Sequence, residues 1–330
     1  MSHARGTCFV PLMVGNTPLV AVRLRVGGRT ATLRLKLESF NPCGSMKDRT
    51  AVALYDSVAD KLDPAVGIVE STSGNLGVAL ASLARANRVR FTAVVDPRVP
   101  SAALHELRRL DATLVLVDEE DGRGGYLMNR LRRVRELLAE QPALCWTNQY
   151  DNPANPRAHQ YGTAPELAAQ VSADSVVLVA VSTGGTLAGI RRYAAAATRW
   201  DVRGVDVYGS YAVGHVPGRR LLPGIGSSQR SQFASAFDGP TERVGTDEAV
   251  AACLWLLESC GIGVGASAGA LVSAALRLIE RDGLDDVVCV CPDGARNYLS
   301  TVYSAAWRRA HGVDPAPPAA VCESVDWGDL

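Results

Sequence analysis

Short apolar segments recur along the chain and alternate with longer segments that have helical spacing. Three of them, residues 91–95, 175–181 and 286–291, contain almost no polar side chains. A half-exposed strand would alternate apolar and polar residues, so these segments predict strands buried on both faces. Strands that alternate with helices form parallel sheets covered by helices, which predicts an α/β protein. We therefore expect ligands beyond the carboxyl ends of the strands.

The size and charge of the chain narrow the possible classes of function. Its 330 residues are enough for two domains of ordinary size, and 47% of them are apolar. Lys plus Arg and Asp plus Glu both number 34, so neither nucleic acid nor an anionic membrane is an expected partner. No run approaches the roughly 18 apolar residues of a membrane span, and we see no basic-then-apolar leader. These features predict a soluble, cytoplasmic protein.

The cysteines and histidines do not form a metal-binding pattern. Eight cysteines and five histidines are scattered along the chain, and no C-x-x-C motif occurs. Cys289 and Cys291 share one face of a predicted strand, which does not suit the usual spacing of zinc ligands. We expect reduced or buried thiols and no metal.

Lys47 stands at a predicted junction between a strand and a helix. A strand-like run over residues 32–38 precedes it, and an apolar, helix-like run over residues 51–55 follows. Lysine is rare here, with three lysines among the 34 basic residues. The helix dipole disfavours a cation in the first turn, and a neutral amine can attack an aldehyde. The alternative is a solvated lysine that follows a turn.

Three small-residue loops also follow predicted strands or turns. The loop over residues 182–186 contains two glycines and opens a helix, so its N–H groups could hold a small phosphate. The loop over residues 71–75 could bind a carboxylate through hydroxyl and N–H groups, and Asn75 could donate to a phenolate. In the loop over residues 265–269, small residues would let a flat group approach Ser267. The alternatives are a tight turn, a helix cap and an N-cap, respectively.

A lysine, an asparagine loop, a phosphate loop and a serine, in this order, describe a site for pyridoxal 5'-phosphate. From residue 16 to residue 300 the chain resembles the cysteine synthase family, the fold type II (tryptophan synthase β-like) pyridoxal-phosphate enzymes. The resemblance implies that Lys47 carries the cofactor, that Asn75 binds its O3' atom and that Ser267 meets the pyridine nitrogen. It implies a phosphate loop of Ser182, Thr183, Gly184, Gly185 and Thr186. It implies that the substrate carboxylate is bound by Ser71, Thr72, Ser73, Gly74, Asn75 and Gln149.

The same resemblance implies an organisation into two domains and a homodimer. Each domain would have a mostly parallel sheet covered by helices. The large, cofactor-binding domain would comprise residues 1–40 and 151–312, and a small, mobile substrate domain would comprise residues 41–150. The Pro- and Ala-rich residues 313–330 predict a flexible tail. Cys43 departs from the family, which usually has glycine there, and we expect only a tighter loop from it.

Five motifs, at residues 94–97, 124–130, 148–150, 220–226 and 302–304, are similar to one subgroup, the N-(2-amino-2-carboxyethyl)-L-glutamate synthases. These enzymes join O-phospho-L-serine to L-glutamate through an aminoacrylate intermediate. Their product leads to 2,3-diaminopropionate, which siderophores and peptide antibiotics contain.

By this narrower resemblance Arg130, Tyr150 and Ser182 would bind the substrate's phosphate. Arg220 is a candidate for binding glutamate, with a surface arginine as the alternative. Arg130 could instead belong to a solvated helix face, because other arginines surround it. Two other functions remain open: an O-phosphoserine or O-acetylserine sulfhydrylase, and a catalytically silent homologue that acts as a binding or regulatory partner.

Overall fold

The computed structural model describes residues 14–72, 74–233 and 239–328, so Ser73 lies outside the described residues. The strands are β1 (Leu19–Val26), β2 (Arg29–Leu37), β3 (Ile68–Ser71), β4 (Phe91–Val95), β5 (Thr113–Leu116), β6 (Cys145–Trp146), β7 (Val176–Ala180), β8 (Asp201–Val207), β9 (Thr241–Val244), β10 (Asp286–Cys291) and β11 (Ala320–Asp326). The helices are α1 (Lys47–Val58), α2 (Asn75–Ala86), α3 (Ser101–Arg109), α4 (Leu127–Glu140), α5 (Ala154–Ala158), α6 (Ala164–Ala168), α7 (Gly185–Ala197), α8 (Thr246–Cys260), α9 (Ala266–Asp282) and α10 (Ala305–His311). A π-helical segment, His159–Thr163, joins α5 to α6.

The larger sheet has seven strands in the order β11-β1-β2-β10-β7-β8-β9. From β2 to β9 neighbouring strands are parallel, whereas β1 is antiparallel to both β2 and β11. Gly27 and Gly28 connect β1 to β2, and both have positive φ, 56° and 77°. Two such residues form the tight turn that matches the twist of a hairpin, which explains the antiparallel start of the sheet.

The smaller sheet has four strands in the order β5-β4-β3-β6, and all of them are parallel. Its strands come from residues 68–146, whereas the strands of the larger sheet come from residues 19–37 and 176–326. The fold-class prediction is thereby confirmed: two mostly parallel sheets carry helices in the manner of fold type II enzymes.

The core of the larger sheet explains why its strands lack polar alternation. In β10, Val287 to Cys291 are all buried, because parallel neighbours flank the strand and helices cover its faces. The long helix α9 packs against α8, and its buried residues include Leu271 and Leu278.

The order of strands places the loops of interest together. Strand β10 lies between β2 and β7, although it follows both in sequence. Ligands bind at such a reversal of strand order, beyond the carboxyl ends. Helix α1 follows β2, helix α7 follows β7, and residues 292–294 follow β10, so three loops meet at this edge.

The prediction of a flexible tail over residues 313–330 is wrong for the segment that forms β11. This strand pairs with β1 through Ala21↔Asp326 to Val26↔Ala320, and Trp255 Nε1 donates to the Ala320 carbonyl over 3.1 Å. Backbone pairing holds the segment although several of its side chains are exposed. The bounds of the two domains and the mobility of the smaller one stay predictions. Within the described ranges, none of the helices has the length and apolar character to cross a bilayer.

Candidate active site

A cavity of about 600 Å³ opens where the loops of the two sheets meet, a volume typical of small-molecule sites. Most of the predicted site residues line it: Lys47, Thr72, Gly74, Asn75, Arg130, Gln149, Tyr150, Ser182, Thr183, Gly184, Thr186, Arg220 and Ser267. Ser71 and Gly185 are buried directly behind this lining and contact it through hydrogen bonds or packing. Residues more than a hundred positions apart therefore meet in one cavity.

Lys47 is the first residue of α1 and is half-buried in the cavity wall. The Met46 N–H donates to the Pro292 carbonyl over 2.8 Å, which ties this turn to the end of β10. Burial lowers the pKa of Lys47 to about 8, and the negative charge of Asp293 partly opposes that effect. At neutral pH the side chain thus loses its proton far more easily than an exposed lysine.

The 182–186 loop leaves the N-terminus of α7 open. Gly184, the N-cap residue, has a φ of 86° and no side chain to cap the helix. The Gly185 N–H makes only a long hydrogen bond of 3.5 Å to Thr183 Oγ1, so the first turn of α7 can offer N–H groups to an anion. Gly185 is tightly enclosed, because an added Cβ would lie 2.1 Å from Asn155 Oδ1. Asn155 Nδ2 donates to the Gln149 carbonyl over 2.7 Å, which links this loop to a predicted substrate-binding residue.

We expect Gly185→Ala to weaken the binding of pyridoxal 5'-phosphate by at least about 10-fold, because Asn155 or the first turn of α7 must move. Such overpacking should also lower the free energy of unfolding by ~1–3 kcal/mol. Fluorescence titration of the cofactor-free chain and urea denaturation measure the two effects. Gly162→Ala is the control, since its added Cβ would lie 3.9 Å from Arg49 Nη1, an ordinary van der Waals distance. Unchanged affinity in Gly185→Ala would contradict this expectation.

Ser267 lies in the first turn of α9 and is 1% exposed. The N-cap residue of this helix is Gly265, so Ser267 is not its N-cap. An added Cβ on Gly265 would lie 1.9 Å from Asp293 Oδ1. The carboxylate of Asp293 therefore packs directly against the start of this helix.

The amide of Asn75 is held from two sides. Its Nδ2 donates to Asp293 Oδ2 over 2.7 Å, and its Oδ1 accepts from Asn297 Nδ2 over 2.8 Å. These partners fix the orientation of the amide, and the second N–H of Nδ2 has no partner among the described residues. Asn75 can therefore donate one further hydrogen bond to a ligand in the cavity.

A buried glutamate supports the predicted carboxylate-binding loop. Glu70, at 0% exposure, accepts hydrogen bonds from Thr147 Oγ1 over 2.6 Å and from the Gln149 N–H over 3.1 Å. Burial raises its pKa to about 7, and these hydrogen bonds oppose the rise. Gln149 Nε2 in turn donates to the Ser71 carbonyl over 2.7 Å. Thr72 Oγ1 accepts from the Gly74 and Gly77 N–H groups and closes the turn.

The interpretation of Arg130 as part of a solvated helix face is wrong. Arg130 is 5% exposed, whereas its neighbours Arg132 and Arg135 point to solvent. Its Nε lies 3.2 Å from Asp96 Oδ2 as an ion pair, and its Nη1 is buried without a hydrogen-bond partner among the described residues. Tyr150 lines the same part of the wall. Burial raises the pKa of its hydroxyl, and the charge of Arg130 opposes part of that rise. An unpaired buried guanidinium N–H group points to an anionic ligand.

Ser182 and Arg220 complete the cavity wall on the side of the larger sheet. Ser182 Oγ donates to the Gly226 carbonyl over 3.2 Å. Arg220 donates from Nη1 to the Gly209 carbonyl over 2.8 Å and from Nη2 to Ser228 Oγ over 2.9 Å. Both acceptors are neutral, and no carboxylate among the described residues forms an ion pair with it. The charges of Asp121 and Asp206 act on Arg220 without a direct ion pair, so its guanidinium could still pair with a bound anion.

Sequence reasoning did not identify four residues that shape the site. Asn155 and Glu70 position the loops, and Asp293 contacts Asn75. His159 is fully buried, with Nε2 3.2 Å from Thr186 Oγ1, and burial holds its pKa well below the ordinary value, so the imidazole is neutral. Of the four, only Asp293 had a usable signal, since it directly follows a predicted buried strand. Among the described residues, His, Cys, Asp and Glu form no group that could hold a metal ion.

Taken together, these features define a site for a phosphate-bearing aldehyde cofactor. An open helix N-terminus suits the phosphate, a lysine with a lowered pKa suits the aldehyde, and Asn75 keeps a spare donor. The family model "Pyridoxal-phosphate dependent enzyme" matches residues 10–293. The chain belongs to this family, and its cofactor is pyridoxal 5'-phosphate.

Similar proteins agree with this classification. N-(2-amino-2-carboxyethyl)-L-glutamate synthases from Ralstonia nicotianae and Cupriavidus metallidurans are each 40% identical to the chain, and the matches cover 89% of the chain and 89% of each relative. The crystal structure of an O-acetylserine dependent cystathionine beta-synthase from Helicobacter pylori has a TM-score of 0.80 and 28% identity, covering 92% of this chain and 100% of the other. The chain is thus a cysteine synthase-like β-replacement enzyme, as predicted.

Proposed function

We propose that the protein joins O-phospho-L-serine and L-glutamate to form N-(2-amino-2-carboxyethyl)-L-glutamate. The single observation that carries this choice of substrates is the buried Arg130, which lines the cavity and whose Nη1 has no hydrogen-bond partner within the described part of the chain. A phosphate leaving group has close to two negative charges and acetate has fewer, so a site for phosphoserine needs a cation and donors of this kind. The names of the 40%-identical relatives support the same substrates.

The cofactor, when bound, supplies an electron sink next to the Cα of the amino acid. Lys47 would hold the cofactor, and its amine would accept the α-proton of the substrate as a general base. Its lowered pKa suits that task, because a neutral amine is the form that accepts a proton. Arg130, Tyr150 and Ser182 bind the departing phosphate, while Gln149 and the 71–75 loop hold the substrate's carboxylate. Ser267, a neutral hydroxyl, would face the ring nitrogen of the cofactor.

Further proposals follow from the same function. The product would be a precursor of 2,3-diaminopropionate for a siderophore or a peptide antibiotic, and the enzyme would act as a cytoplasmic homodimer. The small-sheet region would move towards the larger sheet when substrate binds and would exclude water from the cavity.

The proposed donor is tested by comparing kcat/KM for O-phospho-L-serine and O-acetyl-L-serine with glutamate as the acceptor. We expect a preference for O-phospho-L-serine of at least about 10-fold, the size of one charge-assisted hydrogen bond. A preference for O-acetyl-L-serine would exclude the phosphoserine proposal and favour a sulfhydrylase of the O-acetylserine type.

For the second substrate, we expect Arg220→Gln to raise the KM for glutamate by about 10-fold, because the variant removes the cation that could pair with a carboxylate. Phosphate release from O-phospho-L-serine in a single turnover without glutamate should change by less than about 2-fold. Arg296→Gln is the control, since Arg296 is exposed, pairs with Glu106 and does not line the cavity. A loss of phosphate release with an unchanged KM would show that Arg220 only supports its loop.

A further inference from the structure

Asp293 lies where three parts of the site meet: the turn of Lys47, the Asn75 amide and the start of α9. It follows β10 by two residues, is 3% exposed and lines the cavity. Its backbone bridges to Ser45, two residues before Lys47, and its carbonyl accepts from the Gly265 N–H over 3.0 Å. The residue therefore touches the turn of the cofactor lysine and the start of the helix that carries Ser267.

The carboxylate of Asp293 is only half satisfied by hydrogen bonds. Oδ2 accepts from Asn75 Nδ2 over 2.7 Å and from Tyr298 Oη over 2.8 Å. Oδ1 is buried and has no partner among the described residues. A buried carboxylate with an unpaired oxygen is costly unless an opposite charge lies nearby or the group takes up a proton.

Lys47 is the opposite charge that acts on Asp293: the backbone bridge to Ser45 brings the turn of Lys47 next to this residue, although no direct ion pair joins the two side chains among the described residues. Burial raises the pKa of Asp293 to about 6, while its bonds to Tyr298 and Asn75 and the charge of Lys47 oppose the rise. Conversely, the negative charge of Asp293 raises the pKa of Lys47 and so opposes the effect of burial. Among the described residues, the charge of Lys47 also lowers the pKa of His159, whose imidazole is neutral. The charge balance at Lys47 therefore depends on Asp293.

The same carboxylate also fixes the direction of a ligand-facing amide. Asn75 stands at the start of α2 on the small-sheet side, whereas Asp293 stands at the end of β10 in the larger sheet. With Asn297 on the other end of the amide, an inverted Asn75 would place its oxygen against the carboxylate of Asp293 and its NH2 group against the NH2 group of Asn297. Asp293 thus prevents the amide from turning its acceptor towards the cavity.

We propose that Asp293 is a positioning residue of the active site, which orients the Asn75 amide towards the cofactor and provides the counter-charge of Lys47. The proposal needs only the cofactor class of the enzyme and not the identity of its substrates. It predicts two separate effects of removing the carboxylate, one on the titration of Lys47 and one on cofactor binding. A residue that merely holds the fold together would produce neither at unchanged stability.

The titration of Lys47 can be followed directly because the chain has only three lysines. Reductive ¹³C-methylation of the full cofactor-free chain gives one NMR signal per modified lysine. The exposed Lys61 serves as an internal reference. In Asp293→Asn we expect the midpoint of the Lys47 signal to fall by at least about half a pH unit, since a nearby negative charge is lost. In Asp286→Asn, at the distant start of the same strand, it should stay in place.

Cofactor binding provides the second measurement. We expect Asp293→Asn to bind pyridoxal 5'-phosphate about 10-fold more weakly. A neutral amide at position 293 accepts the hydrogen bond of Asn75 less strongly than a carboxylate, and it can also turn its own NH2 group towards Asn75. If Asp293→Asn does not fold, Asp293→Ser, which is smaller and also neutral, replaces it in both measurements. A folded neutral variant with an unchanged Lys47 midpoint and unchanged cofactor affinity would overturn the proposal. Because neither measurement uses an amino-acid substrate, a failure of the proposed synthase reaction would leave this result unaffected.

Discussion

Lys47→Ala is expected to reduce turnover by more than about 1,000-fold, or ~4 kcal/mol in activation free energy, and to abolish covalent attachment of the cofactor. The buried Lys36 and the half-buried Lys47 differ in their hydrogen bonds, and the difference supports Lys47 as the cofactor lysine. Lys36 is fully buried, and its ammonium donates to the Thr17 carbonyl, to Glu166 and to Gln170 Oε1. Lys47 lines the cavity, and its amine has no such set of acceptors among the residues that the structure describes.

Borohydride reduction of the loaded enzyme, followed by peptide mapping, identifies the lysine that carries the cofactor. We expect the pyridoxyl label on Lys47 alone. Lys61→Ala is the matched control, because Lys61 is exposed and lies outside the cavity lining, and it should retain full turnover. A label on Lys36 or Lys61 would exclude Lys47 as the cofactor lysine.

Arg130→Ala is expected to lower kcat/KM for O-phospho-L-serine by about 10- to 100-fold. Charge-assisted hydrogen bonds contribute ~1.5–3 kcal/mol each, and this variant removes a guanidinium that has an unpaired N–H beside the cavity. The same variant should change any weak reaction with O-acetyl-L-serine by less than about 3-fold, since acetate needs less positive charge. Stopped-flow absorbance measures the rate of the reaction with O-phospho-L-serine and, separately, with O-acetyl-L-serine.

The control for Arg130 lies on the same helix. Arg135 is exposed, so Arg135→Ala should leave both rates within about 2-fold of the wild type. Arg130→Ala also leaves Asp96 without its partner, so urea denaturation must accompany the kinetics. Equal losses for both donors in a folded Arg130→Ala enzyme would show that Arg130 supports the site and does not recognise phosphate.

Much of the fold and cofactor class could be predicted from the sequence, because the relevant signals are local. Continuous apolar runs are diagnostic of buried parallel strands, and β7 and β10 lie within the predicted segments. Glycines and a lysine at strand ends identify loops that meet at one edge of a sheet. Lys47 and the 182–186 loop could therefore be assigned to the same site from the sequence alone.

The features that escaped prediction depend on contacts between distant parts of the chain. Arg130 looked solvated because its helix is rich in arginine, and only its pairing with Asp96 across the small-sheet region shows that it is buried. Asp293 lies 218 residues from Asn75, so its role as an acceptor has no local pattern. Strand β11 is held by backbone bonds to β1, and its half-exposed side chains give little apolar signal.

The most direct test of the proposed synthase is mass spectrometry of the product formed when O-phospho-L-serine is offered with glutamate and sulfide together. We predict that N-(2-amino-2-carboxyethyl)-L-glutamate is the main product, because a cationic cavity of about 600 Å³ has room for a dicarboxylate. Cysteine as the main product, with little or no glutamate adduct, would contradict the proposed function and identify the enzyme as an O-phosphoserine sulfhydrylase.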